Sequence, residues 1–70
     1  MKNLFRSRTA YRLIELFTGF PTVRFYLAEI ARLTNSNPAN VMRELVKLKK
    51  IGIISQTVSS GKKYYRLNKL

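Results

Sequence analysis

Two helical patterns meet across the four residues Asn35-Ser36-Asn37-Pro38, and that junction limits the folds open to this chain. Asn35 tolerates the left-handed conformation that ends a helix, Asn37 is a good N-cap, and Pro38 fits the first helical position because its missing N–H has no partner there in any case. Upstream, Leu27, Ile30, Ala31 and Leu33 read as the inner face of a short helix over about 27–34, with Glu29 and Arg32 outward. Downstream, Val41, Leu45 and Leu48 form the seam of a longer helix over about 38–50, with Met42 and Val46 beside it. Asn40, Arg43, Lys47 and Lys50 make its polar stripe. Two helices joined by so tight a turn form a helix-turn-helix.

The flanking segments supply the rest of a small domain. Ala10, Leu13, Ile14 and Phe17 repeat at helical spacing behind a Ser7 cap, and the helix stops near Gly19-Phe20-Pro21. Val23, Phe25 and Tyr26 predict a short strand over 22–26. After Gly52, residues 53–58 and 63–68 read as two strands around Ser59-Ser60-Gly61, a β-hairpin with Lys62 and Lys63 at its tip. Tyr64 and Tyr65 fall on opposite faces of the last strand, so they form no two-ring platform. Tyr65, in step with Leu67, reads as core, while Tyr64 is open between roles. Phe5, Phe17, Phe20 and Phe25 read as core or interface. The expected fold is α/β (α+β): three helices with a small antiparallel sheet and one C-terminal hairpin, a single domain over 1–70.

Charge narrows the function. Fourteen Lys and Arg face only Glu15, Glu29 and Glu44, a formal net charge of +11. Such an imbalance selects a polyanionic partner, nucleic acid before an anionic membrane surface. With no Cys and no His, thiolate chemistry and the commonest transition-metal ligands are missing, so no metal and no cofactor are expected. The three carboxylates fall on separate helices with no complementary base, and no enzyme is expected. No apolar stretch suits a signal peptide or a membrane span, which makes the cytoplasm the default location and a membrane partner unexpected.

The major groove admits one helix, and the 38–50 helix offers Asn40, Arg43 and Lys47 at spacings of three and four on one side. Asn37, at the helix start, lies where free N–H groups favour a phosphate. From Ala31 to Ile54, the run Ala-x3-Asn35-x5-Val41-x3-Leu45-x2-Leu48-x3-Gly52-Ile53-Ile54 resembles the core of ArsR-like winged helix-turn-helix regulators. The segment Gly61-Lys62-Lys63-Tyr64-Tyr65-Arg66-Leu67 resembles their wing. Asn35 stands where the family usually has Gly, and Ser36 where it has an apolar residue.

The resemblance implies a double-stranded DNA-binding transcription regulator with the 38–50 helix in the major groove and a wing over about 58–63 on the backbone. Positions matching the family's DNA-reading residues are Asn37, Ala39, Asn40, Met42, Arg43, Glu44 and Lys47, with Lys62 and Lys63 on the wing. Glu44 suits either a salt bridge or the amino group of a cytosine. The family's Cys and His metal clusters and its flanking dimerisation helices find no counterpart in these 70 residues. Leu4, Phe5, Leu16 and Phe20 lie off the seam of the first helix, which leaves a homodimer through it open. A nucleoid-architectural protein without sequence preference and a winged-helix protein-interaction module are the alternatives.

Overall fold

A computed structural model describes residues 7–68. Helix α1 (Arg8–Gly19) starts at Ser7, whose Oγ accepts from the Ala10 N–H at 3.2 Å. It runs two residues beyond the expected Phe17, and Gly19 stays out of the left-handed region because Phe20 closes the helix instead, donating its N–H to the Leu16 carbonyl at 3.1 Å. Strand β1 is only Phe25–Tyr26, shorter than expected, since the turn through Pro21 and Thr22 holds Val23 against the Phe20 carbonyl.

Helices α2 (Leu27–Leu33) and α3 (Pro38–Lys50) end in the same way. After α2, Asn35 takes φ 51°, its N–H donates to Arg32 and the Ser36 N–H donates to Ala31. After α3, Gly52 takes φ 84°, its N–H donates to Lys49 and the Ile53 N–H donates to Leu48. Both are Schellman caps, which satisfy carbonyls that a helix end leaves free and turn the chain sharply. Asn35 thus does the work of a turn glycine. The expected left-handed residue is in place, and Ser36, in the usual apolar position, donates its hydroxyl to the Thr34 carbonyl at 3.1 Å.

Strands β2 (Ile54–Ser59) and β3 (Lys62–Leu67) pair antiparallel from Ile54↔Leu67 to Ser59↔Lys62, and β3 also pairs with β1, giving the order β1-β3-β2. The hairpin turn is two residues, not three: Ser60 and Gly61 both have positive φ, the requirement of a tight turn matched to strand twist. Each strand is accordingly shifted by one residue from its expected bounds: Ile53 is used up in the cap of α3, and the two-residue turn brings Ser59 and Lys62 into the ladder.

The core joins Leu13 and Phe17 of α1, Phe25 of β1, Ile30 and Ala31 of α2, Val41, Leu45 and Leu48 of α3, and Ile54 and Tyr65 of the sheet. Phe17 and Phe25 meet edge to face with centroids 6.0 Å apart. Phe20 adds an edge to Phe25 but is mostly exposed, and Phe5 lies outside the described residues. Leu33 departs from expectation. It is half exposed because Leu27, Ile30, Ala31 and Thr34 form the i, i+3, i+4, i+7 seam of α2 and leave Leu33 beside it. The Thr34 carbonyl at the end of α2 accepts from Arg12 Nη1 at 3.0 Å, so a cation from α1 meets the negative end of α2. The arrangement is a winged helix-turn-helix.

Candidate nucleic-acid interface

Asn37 sets where α3 begins. Its backbone is extended, its Oδ1 accepts from the Ala39 N–H at 2.7 Å, and Pro38 follows in the first turn. The side chain is therefore engaged in capping its own helix, and only its amide NH2 is left to face a partner.

Ala39, Asn40, Arg43 and Lys47 are all exposed, and Met42 is half-buried. Arg43 Nη1 donates to Asn40 Oδ1 at 3.2 Å, so the two side chains present a linked donor surface one turn apart. Glu44 does not share that face. It is 6% exposed, with Oε2 3.4 Å from Lys47 Nζ, because residues 41, 44, 45 and 48 follow the i, i+3, i+4, i+7 core spacing. A carboxylate held there is out of reach of a base edge, which corrects its place among the DNA-facing residues. The salt-bridge reading of Glu44 is the one observed. That spacing was in the sequence, masked by the expectation that a charged side chain points outward.

Val46 is the opposite case. Expected beside the seam, it is 58% exposed and stands in a stripe with Ala39, Arg43 and Lys50 at spacings of four, three and four. Its exposure leaves an apolar side chain on the outer side of α3. Lys49 Nζ donates to Gln56 Oε1 at 3.0 Å and so ties the end of α3 to β2.

The wing divides its two lysines. Lys62 turns toward β1 and places Nζ 4.6 Å from the Tyr26 ring centroid. Lys63 points to the other face, where it lines the groove between α3 and the hairpin with Met42 and Tyr65. Tyr64 is settled by the same alternation: it lies on the face of Lys62, edge-on to Tyr26 at 6.0 Å and beneath Arg24. Tyr65 is buried, as expected.

The other two carboxylates are on neither α3 nor the hairpin: Glu15 is on α1 and Glu29 on α2. Glu29 accepts from the Tyr26 N–H at 3.2 Å at the start of α2, and Glu44 with Lys47 is the one ion pair among the described residues. Among the described residues no cluster of His, Cys, Asp or Glu could hold a metal ion, and no helix is long and apolar enough to cross a membrane.

Burial raises the pKa of the Tyr65 phenol above its ordinary value of 10.0. The folded state therefore holds this proton more tightly than the unfolded chain. Its contribution to stability is complete below about pH 10 and is lost as pH rises through the folded value. Melting curves from neutral to strongly alkaline pH are expected to show stability falling above about pH 10, and Tyr65→Phe should flatten that fall. An unchanged alkaline limb in the variant would contradict the assignment.

No family model and no curated protein matches the chain. Among solved structures it is similar to the homodimeric winged helix-turn-helix DNA-binding domain of a possible ArsR-family transcriptional regulator from Mycobacterium bovis, with a TM-score of 0.75 and 18% identity. The likeness covers 94% of this chain and 58% of that one, so this chain spans less than two thirds of the neighbour's length. At that identity the match establishes the fold.

Proposed function

We propose that this chain is a DNA-binding domain of a transcription regulator, with α3 entering the major groove and the wing gripping the adjacent backbone. The observation that carries the reading is the exposed side of α3, where Asn40, Arg43 and Lys47 follow a capped turn and stand beside a hairpin whose strand β3 opens with Lys62 and Lys63. Phosphate contacts position such a domain and base contacts specify its site. Arg43, in the middle of the helix, suits a bidentate contact to guanine, and Val46 suits a thymine methyl. Lys47, Lys62 and Lys63 suit phosphates. Residues 1–70 act as one domain on this reading. The neighbour's homodimeric state makes a second copy of the chain the protein partner to test first. Phe20 offers exposed apolar surface on that side, Leu16 packs against the core, and Leu4 and Phe5 lie outside the described residues.

Reading and gripping separate under mutation. Arg43→Ala is expected to cost about 1–3 kcal/mol on a selected site and less on a scrambled duplex. Lys62→Ala with Lys63→Ala should weaken both duplexes by a similar factor and make the salt slope shallower by about two units. Titrations of both variants on both duplexes at several salt concentrations provide the comparison. Equal losses for Arg43→Ala on the two duplexes would make α3 a phosphate clamp and favour a nucleoid-architectural role.

A further inference from the structure

The outer face of the sheet, turned away from the helices, carries a second set of cations. Extending the register Phe25↔Tyr65 by one residue places Arg24 opposite Arg66, and Arg66 is itself opposite Ser55. The next row on this face is Tyr26, Tyr64 and Thr57, and the last is Lys62 with Ser59. Cross-strand neighbours and their diagonals lie within reach of long side chains. The structure uses both diagonals: Arg24 sits 4.2 Å from the Tyr64 centroid and Lys62 sits 4.6 Å from that of Tyr26. Arg24, Arg66 and the three hydroxyls of Ser55, Thr57 and Ser59, with Val58, border a hollow of about 290 Å³. No Asp or Glu stands on any of the three strands.

Three features of this grid favour a phosphate. A guanidinium lying over a ring is held by its face, which leaves its N–H edge free for a two-oxygen acceptor. The hydroxyls at every second residue of β2 point to the same side and add neutral donors around the same hollow. Lys62 belongs both to this face and to the wing, so the basic surface continues from the wing to Arg24 and Arg66 without a carboxylate on the strands between.

We propose that the outer sheet face is a second phosphate-binding surface, in which Arg24, Arg66, Ser55, Thr57 and Ser59 hold backbone phosphates of duplex DNA flanking the segment gripped by α3. The inference rests on the DNA-binding reading above. It lengthens the contacted duplex beyond what α3 and the wing reach, and it gives the domain a way to favour longer or bent DNA. Its contacts carry no base information, so they add affinity to every sequence alike.

The test compares duplexes of about one and about three helical turns, roughly 10 and 30 base pairs, that share one central site. On the long duplex the salt slope of the wild-type protein should be steeper than on the short one, and Arg24→Gln with Arg66→Gln should reduce it by about two units while leaving the short duplex unaffected. Ser55→Ala with Ser59→Ala keeps every charge and is expected to weaken the long duplex roughly tenfold, which a general field effect would not do. This second variant also serves if loss of the cation over Tyr64 unfolds the first. A folded arginine variant that follows wild type on both duplexes overturns the inference and leaves the DNA reading in place. Equal losses on both duplexes overturn it too, because the arginines would then belong to the primary interface. So does binding of polyglutamate that needs both arginines and leaves duplex binding unchanged, which would assign the face to an acidic protein. Wild-type protein with no salt-dependent binding to either duplex removes the DNA reading and the inference with it.

Discussion

Phe17→Ala is expected to lower the melting temperature by roughly 12–40 °C, from a loss of about 3–5 kcal/mol at about 4–8 °C per kcal/mol for a domain of this size. Phe17 is fully buried, lies among the largest buried side chains, and meets Phe25 edge to face, so its removal leaves a cavity between α1 and the start of the sheet. A chain of 70 residues has roughly 4–10 kcal/mol of stability in all, and the core has little redundancy. The matched control is Val46→Ala. An exposed valine on α3 should cost no more than about 0.5 kcal/mol, although it belongs to an equally apolar type. Thermal melts of both variants by circular dichroism check the pair. A Phe17→Ala protein melting within a few degrees of wild type would mean that the packing of α1 on the sheet is not what holds the domain together.

That contrast also shows what could be read before the structure. Spacing located all three helices, because seams such as Val41-Leu45-Leu48 repeat over several turns and outweigh local noise. Caps were legible where chemistry and position agree: Ser7, Asn35, Asn37 and Gly52 each do in the structure what their side chains or backbones favour. Gly19 misled, since glycine before Pro21 suggests a left-handed stop, but the helix closes one residue later at Phe20. The start of β2 differs by one residue because Ile53 suits either the strand or the cap of α3, and only the cap's hydrogen bonds decide between them.

Side-chain direction was harder wherever residue type and position disagree. Glu44 sits at a core position and Val46 and Leu33 at surface ones, so polarity pointed the wrong way for all three. The proposed interface inherits that lesson. Asn40, Arg43 and Lys47 are exposed as expected, Asn37 spends its oxygen on capping, and Glu44 leaves the face. The sequence does not pair Arg24 with Arg66, because they are 42 residues apart. Only the register of β1 on β3 makes them neighbours.

The second large effect is the response of DNA binding to salt, and it follows from how the cations are disposed. Arg43, Lys47, Lys49, Lys50, Lys62 and Lys63 stand on α3 and the wing, with Lys47 partly occupied by Glu44 and Lys49 by Gln56. On the DNA-binding reading, roughly four to six phosphates would be neutralised per monomer, each releasing counterions on binding. A log–log slope of about −4 to −5 follows, which corresponds to a roughly 250- to 1,000-fold loss of affinity between about 50 and about 200 mM salt. The contrast with a protein-interaction module is sharp, because an interface with a neutral partner gains no such term. Fluorescence anisotropy of the pure domain on a labelled duplex of about one helical turn, titrated across that range, measures the slope directly. A linear fall with a slope of about −4 to −5 is the predicted result; a flat response, or no binding at low salt, would contradict the account.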